Sequence, residues 1–150
     1  MTALIVDTSA ILASLDEAYA ELEAIADILA TEAGPLVVSP MVVAKADYML
    51  YTRLGAAAAR RFAADVAAAA YELAEWTAAD HAAALDVINR SSDDTNYIGV
   101  TDAANVVLAD RYHTTRLLTL DQRHFRRLRP LWGADYFTLL PHDSGPAPAS

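Results

Sequence analysis

Asp7 closes the apolar run 4–6, Asp121 closes the apolar run 116–120, and Asp102 opens the helical stretch that leads into the second of these runs. In an open α/β sheet the carboxyl ends of the strands share one edge, and ligands bind along it. Three carboxylates gathered there repel one another unless a cation sits among them. A hard divalent ion is the natural occupant, Mg²⁺ first and Mn²⁺ next, because it prefers oxygen ligands and keeps several waters beside one or two carboxylates. Such an ion lowers the pKa of a bound water and neutralises charge developing on a phosphate, which is the chemistry of phosphodiester hydrolysis. Each aspartate also has a purely local reading: Asp7 as a helix cap, Asp102 as a partner of the helix dipole, Asp121 as the start of a turn. Convergence of the three at one sheet edge is what separates the two readings.

The elements that must position them follow from the hydrophobic pattern. The triplet LIV at 4–6 reads as a buried strand running into a helix at Asp7-Thr8-Ser9. Residues 10–33 read as helical with a break near Asp16, ended by Gly34-Pro35. A second strand over 36–38 meets Ser39-Pro40, a strong helix start because proline is tolerated at the first helical position, and a helix over 41–54 follows. Beyond Gly55 an alanine-rich helix runs to Ala70, 71–76 (YELAEW) alternates weakly like a strand, and Thr77 with Asp80 makes a capping-box pattern opening a helix to about Arg90. Residues 91–97 (SSDDTNY) read as a loop, 100–112 as a helix, 116–120 and 136–140 as strands, and 141–150 as a disordered tail. Strands alternating with helices predict one α/β domain over 1–140, with a mostly parallel sheet covered on both faces.

Composition narrows the function classes. At 150 residues and 55% hydrophobic, the chain can bury one core. No apolar run approaches the ~20 residues that cross a bilayer, and the N-terminus has neither the basic stretch nor the cleavage site of a secretory signal, so a cytoplasmic location is expected. The absence of cysteine excludes disulfides, thiolate catalysis and Cys-based zinc sites. A net charge of −9 argues against wide phosphate binding. Even so, Arg111, Arg116, Arg123, Arg126, Arg127 and Arg129 fall in one stretch with His113 and His124, either a local polyanion-binding face or a solvated helix surface. His81, His113, His124 and His142 are scattered without a pair four apart on one helix, against a zinc hydrolase. There is no G-x-S-x-G elbow and no glycine-rich nucleotide loop. Trp76, Trp132 and most tyrosines read as core or interface residues rather than base-stacking platforms.

The opening LIVDTSAILA, the middle SPMVVAKADYML, the segment YIGVTDAANVVLADRY and the late RLLTLDQRHFRRLRP resemble, in order and spacing over 4–140, the successive signatures of PIN domains of the VapC toxin family. The resemblance implies a three-layer α/β/α sandwich, Mg²⁺-dependent endonucleolytic cleavage of RNA, a VapB-type antitoxin that blocks the site, and a homodimer. It implies Asp7 and Asp102 as metal-binding acids and Asp121 as the acid completing the catalytic set, with Thr8 and Ser9 in support. One position departs from the family pattern. Lys45, the only lysine in the chain, stands in VVAKADYML where the family carries glutamate. Asp47 cannot stand in for it, since two residues along a helix rotate the side chain by ~200°. A lysine ~4 Å from a carboxylate gains ~4 kcal/mol at an effective dielectric of ~20, before desolvation. Lys45 is therefore expected to serve as a built-in counter-ion that weakens or disables the site, unless it snorkels out to solvent.

Two alternatives remain at this stage. One is a catalytically inactive module that binds an antitoxin and contributes to operator binding. The other is a receiver-like signalling domain, which expects its lysine after a late strand. An antitoxin is expected to insert a cationic side chain, an arginine, among the acids. The apolar faces of 10–33 and 41–54 are candidate partner or dimer surfaces.

Overall fold

Short apolar strands form the centre of the computed structural model, which describes residues 2–143. They are β1 (Leu4–Val6), β2 (Leu36–Val38), β3 (Glu72–Leu73), β4 (Arg116–Leu118) and β5 (Thr138–Leu140). All pair in parallel, in the order β3-β2-β1-β4-β5, with Ile5 opposite both Val37 and Leu117. Two helices follow each of the first three strands: α1 (Thr8–Leu15) and α2 (Leu22–Thr31), α3 (Pro40–Leu54) and α4 (Ala56–Ala67), α5 (Ala78–Ser91) and α6 (Val100–Arg111). The four-residue α7 (Gln122–Phe125) links β4 to β5. From β1 the chain turns toward β2 and from β4 toward β5, so the crevice where connections diverge lies between β1 and β4.

Period-two alternation in the strands divides the core into two layers. Leu4, Val6, Val38, Leu118 and Leu140 pack with α1 to α4 on one face. Ile5, Val37, Leu117 and Leu139 pack with α5 and α6 on the other, joined by Phe125 and Phe137. Full burial of each such side chain stabilises by about 1.5–3 kcal/mol. The result is the expected α/β/α sandwich. Among the described residues no helix is long and apolar enough to cross a membrane.

Helix ends obey the local signals. The Ser39 hydroxyl accepts from the Val42 amide at 3.0 Å, Thr77 and Asp80 form a reciprocal capping box, and Gly55 adopts φ 97° to join α3 to α4. The expected break near Asp16 is real: α1 ends there, and the Asp16 carboxylate accepts from the Ala18 amide at 3.0 Å.

Strand ends differ from expectation. The strand read over 116–120 stops at Leu118, because side-chain hydroxyls capture the next amides: Leu120 N–H donates to Ser9 Oγ at 2.9 Å and Asp121 N–H to Thr119 Oγ1 at 3.0 Å. The strand read over 71–76 shrinks to two exposed residues at the sheet edge, and that read over 136–140 begins at Thr138. Of the tail expected over 141–150, residues 141–143 form a turn, and 144–150 lie outside the described residues. Asp143 clasps Arg126 through two bonds of 2.6 and 2.8 Å and accepts from the Leu139 amide at 2.7 Å. The basic stretch is likewise divided in space: Arg111 pairs with Asp80 at 3.0 Å, Arg116 with Glu32 at 2.7 Å and Arg126 with Asp143, so it is not one open cationic face.

Candidate active site

Asp7 directly follows β1 and is the N-cap residue of α1, yet its side chain makes no capping bond. It is 5% exposed, and its carboxylate is held by other elements. Oδ1 accepts from Asn105 Nδ2 of α6 at 3.1 Å, and Oδ2 accepts from Thr119 Oγ1 at 2.7 Å and from Ser9 Oγ at 3.3 Å. The helix-cap reading of Asp7 is thus excluded. Asp102 lies in the first turn of α6, and its Oδ2 is 2.6 Å from His124 Nδ1. Asp121 caps α7 by accepting from the His124 amide at 3.2 Å, so its local reading holds for one oxygen; the other lies 3.2 Å from His124 Nδ1.

These residues converge. Asp7, Asp102, Asp121 and His124 line one cleft of about 290 Å³ together with Thr8, Ser9 and Lys45, at the carboxyl edge between β1 and β4. Ligand atoms of Asp102, Asp121 and His124 all lie within 4.8 Å of one another. Burial pushes the Asp7 carboxyl above the usual range; the Thr119 hydrogen bond pulls it back, the Asp121 charge adds to the rise, and Lys45 opposes it least. Asp102 is pushed up to about 6, by burial first and then by the Asp7 charge, against the pull of its His124 hydrogen bond. The two fixed cations of the cleft, Lys45 and Arg53, form no ion pair with these acids among the described residues.

The structure brings the three aspartates and Ser9 of the sequence reading to one cleft, and adds three partners that reading missed. His124 was read with the scattered histidines, whereas α7 aims it between Asp102 and Asp121. Asn105 and Thr119, which orient Asp7, were not singled out; a polar residue inside a helix as apolar as ANVVLA was the available signal for Asn105. The Thr8 hydroxyl makes no hydrogen bond to support the acids. Lys45 lines the cleft but does not act as the expected ion-paired counter-ion. It is exposed and joins none of the ion pairs among the described residues. An exposed ammonium keeps its hydration, and His124, already fixed by the α7 cap, takes the place between the acids.

No family model matches the chain. Among curated proteins, it is 45% identical over 138 residues to ribonuclease VapC26 of Mycobacterium tuberculosis, a match spanning 92% of this chain and 100% of that protein. The chain belongs to the VapC ribonuclease family. Solved structures agree on the fold. VapC20 of Mycobacterium tuberculosis, a toxin that cleaves the sarcin–ricin loop, superposes with a TM-score of 0.72 at 20% identity, over 81% of this chain and 92% of that one. VapBC2 of Rickettsia felis, solved bound to a DNA fragment from its promoter, gives 0.63 at 15% identity, over 86% and 95%. The PIN-like sandwich and the VapC assignment read from the sequence therefore stand, and with them the activity class of an endoribonuclease toxin.

Proposed function

We propose that the cleft between β1 and β4 is the catalytic centre of a Mg²⁺-dependent endoribonuclease, with Mn²⁺ as a workable substitute, and that Asp7 and Asp102 hold the ion while Asp121 completes the acid set. One observation carries this reading: three carboxylates share one cleft, and two of them are pushed upward, by burial first and then by a neighbouring acid, Asp121 for Asp7 and chiefly Asp7 for Asp102. The donor set fits a hard divalent cation, and Thr8 Oγ1, buried without a partner, lines the same cleft. Bound there, such an ion would supply charge neutralisation at the scissile phosphate and a water of lowered pKa. The chain's own residues do the rest. Thr119, Ser9 and Asn105 fix both oxygens of Asp7, and His124 steadies Asp102 and Asp121, so the acids are oriented before substrate arrives.

The decisive experiment is RNA cleavage by this protein and by Lys45→Glu, with and without a chelator. Cleavage should be lost in chelator and on Asp7→Asn; cleavage that survives both would defeat the reading. A second reading, a binding module without activity, is favoured by Lys45, a cation lining the cleft at the position where the resemblance implies an acid. Antitoxin binding with no cleavage even by Lys45→Glu would select it.

The partner is proposed to be a VapB-type antitoxin, as the Rickettsia felis neighbour is a VapBC2 complex, and an arginine of that antitoxin is proposed to enter the acid cleft, because a guanidinium pairs bidentately with carboxylates. Lys45 should then weaken that contact, so one antitoxin peptide should bind Lys45→Glu more tightly than the lysine form. A cytoplasmic homodimer completes the proposal; Tyr48, Tyr51 and Leu54, exposed on α3, are apolar area available to a second copy.

A further inference from the structure

A second cavity, about 280 Å³, lies between α5, α6 and the segment after α7, with Arg90 and Ser91 on one side, Arg127 and Arg129 on the other, and Val87 and Val106 in its wall. None of these three arginines forms an ion pair among the described residues, whereas Arg111, Arg116 and Arg126 each meet an acid. Arg90 bonds only the Asp86 carbonyl, at 3.3 Å. Asp93 is held below the usual range by the amides of Asn96 and Thr95 first, and feels Arg127 only as its weakest influence. Three like charges gathered around one cavity, in a chain of net charge −9, call for an anion from outside.

We propose that this cavity seats a backbone phosphate of the RNA strand that crosses the acid cleft. Guanidinium forks match phosphate oxygens in pairs. No aromatic residue lines the cavity, so it offers no base-stacking platform and suits the backbone instead. Its position follows from the two elements that build the cleft. Val106 is one turn beyond Asp102 on the same face of α6, ~6 Å along the axis, and the amides of Arg127 and Leu128 both donate to the His124 carbonyl, at 3.0 and 3.1 Å. The residue that touches Asp102 thus also places Arg127. A strand lying across the acids reaches the arginines within a few nucleotides.

The inference rests on the ribonuclease reading of the cleft, and its test is kept separate from cleavage. Anisotropy of a fluorescein-labelled single-stranded RNA is followed through a salt series in an Asp7→Asn background. Adding Arg127→Gln and Arg129→Gln should weaken binding about tenfold at low salt and flatten the slope of log K against log salt by about 0.7, the loss of one phosphate contact on a single strand. Arg127→Lys with Arg129→Lys should restore the slope. The control removes equal charge elsewhere, by Arg60→Gln with Arg61→Gln, both exposed on α4. Equal losses in the two glutamine pairs, or no loss in the first, overturns the phosphate site while leaving the cleavage result untouched. Selective loss from a protein that never cleaves would instead overturn the catalytic reading of the cleft.

Discussion

The two ends of the sheet hold charge in opposite ways. At the amino end Glu32, the C-cap of α2, meets Arg116 of β4 in a fork of two bonds, 2.8 and 2.7 Å, and a third bond of 3.2 Å from the Gly34 amide completes its shell. The Arg116 hydrogen bond holds Glu32 below the usual carboxylate range and raises Arg116 in turn. At the carboxyl end the acids outnumber the cations in contact with them, and Asp7 and Asp102 move the other way. One end is paired within the chain and works for stability; the other leaves its acids without a fork of their own, in a cleft open to a ligand. Sites of that second kind are where function is built at a cost to the fold.

Asp7→Asn sets the contrast most sharply. Cleavage should fall at least about 100-fold, the scale expected when metal-site geometry is disturbed, while the melting temperature holds or rises, because a buried charge is removed and an isosteric amide remains. A large loss of stability with that variant would erase the distinction between the ends.

The pH dependence comes next. Asp102 is raised to about 6, so the folded state holds its proton longer than the unfolded one. Its contribution to stability is therefore full below the ordinary value of ~4 and is lost as pH rises through 6, by roughly 3 kcal/mol. Glu32 has the opposite sign: its contribution is present at neutral pH and lost as the medium falls below the range of a free glutamate. Melting curves of Asp102→Asn across that window should lose the decline; an unchanged profile would place the effect elsewhere. Glu32→Gln should cost about 1–2 kcal/mol in denaturant, discounted for the partial exposure of Arg116, with cleavage intact. Last, Lys45→Glu should tighten Mn²⁺ binding by about three- to tenfold in calorimetry, since an exposed ammonium exerts only a screened repulsion. Equal affinity would remove Lys45 from the cleft's charge balance.

The acids were legible because each follows or precedes a strongly patterned element, and a three-residue apolar strand leaves little freedom about where the next side chain emerges. His124 was not, because RHFRRLRP reads as basic surface until α7 turns one member inward. The end of β4 was hidden for a related reason: apolar pattern extends through Leu120, but the hydroxyls of Ser9 and Thr119 draw the backbone away from the ladder. Lys45 was placed on the correct helix at the correct cleft. Its distance from the acids depends on solvation of a long side chain, which spacing does not encode.

A four-residue helix has too few internal bonds to hold itself in register. The segment bearing Asp121 and His124 therefore borrows rigidity from the Arg126–Asp143 clasp, which ties it to the outermost strand. Aim at the reaction centre is in this way controlled from the rim: a protein cut back to Leu140 would keep every acid and lose the brace that points them.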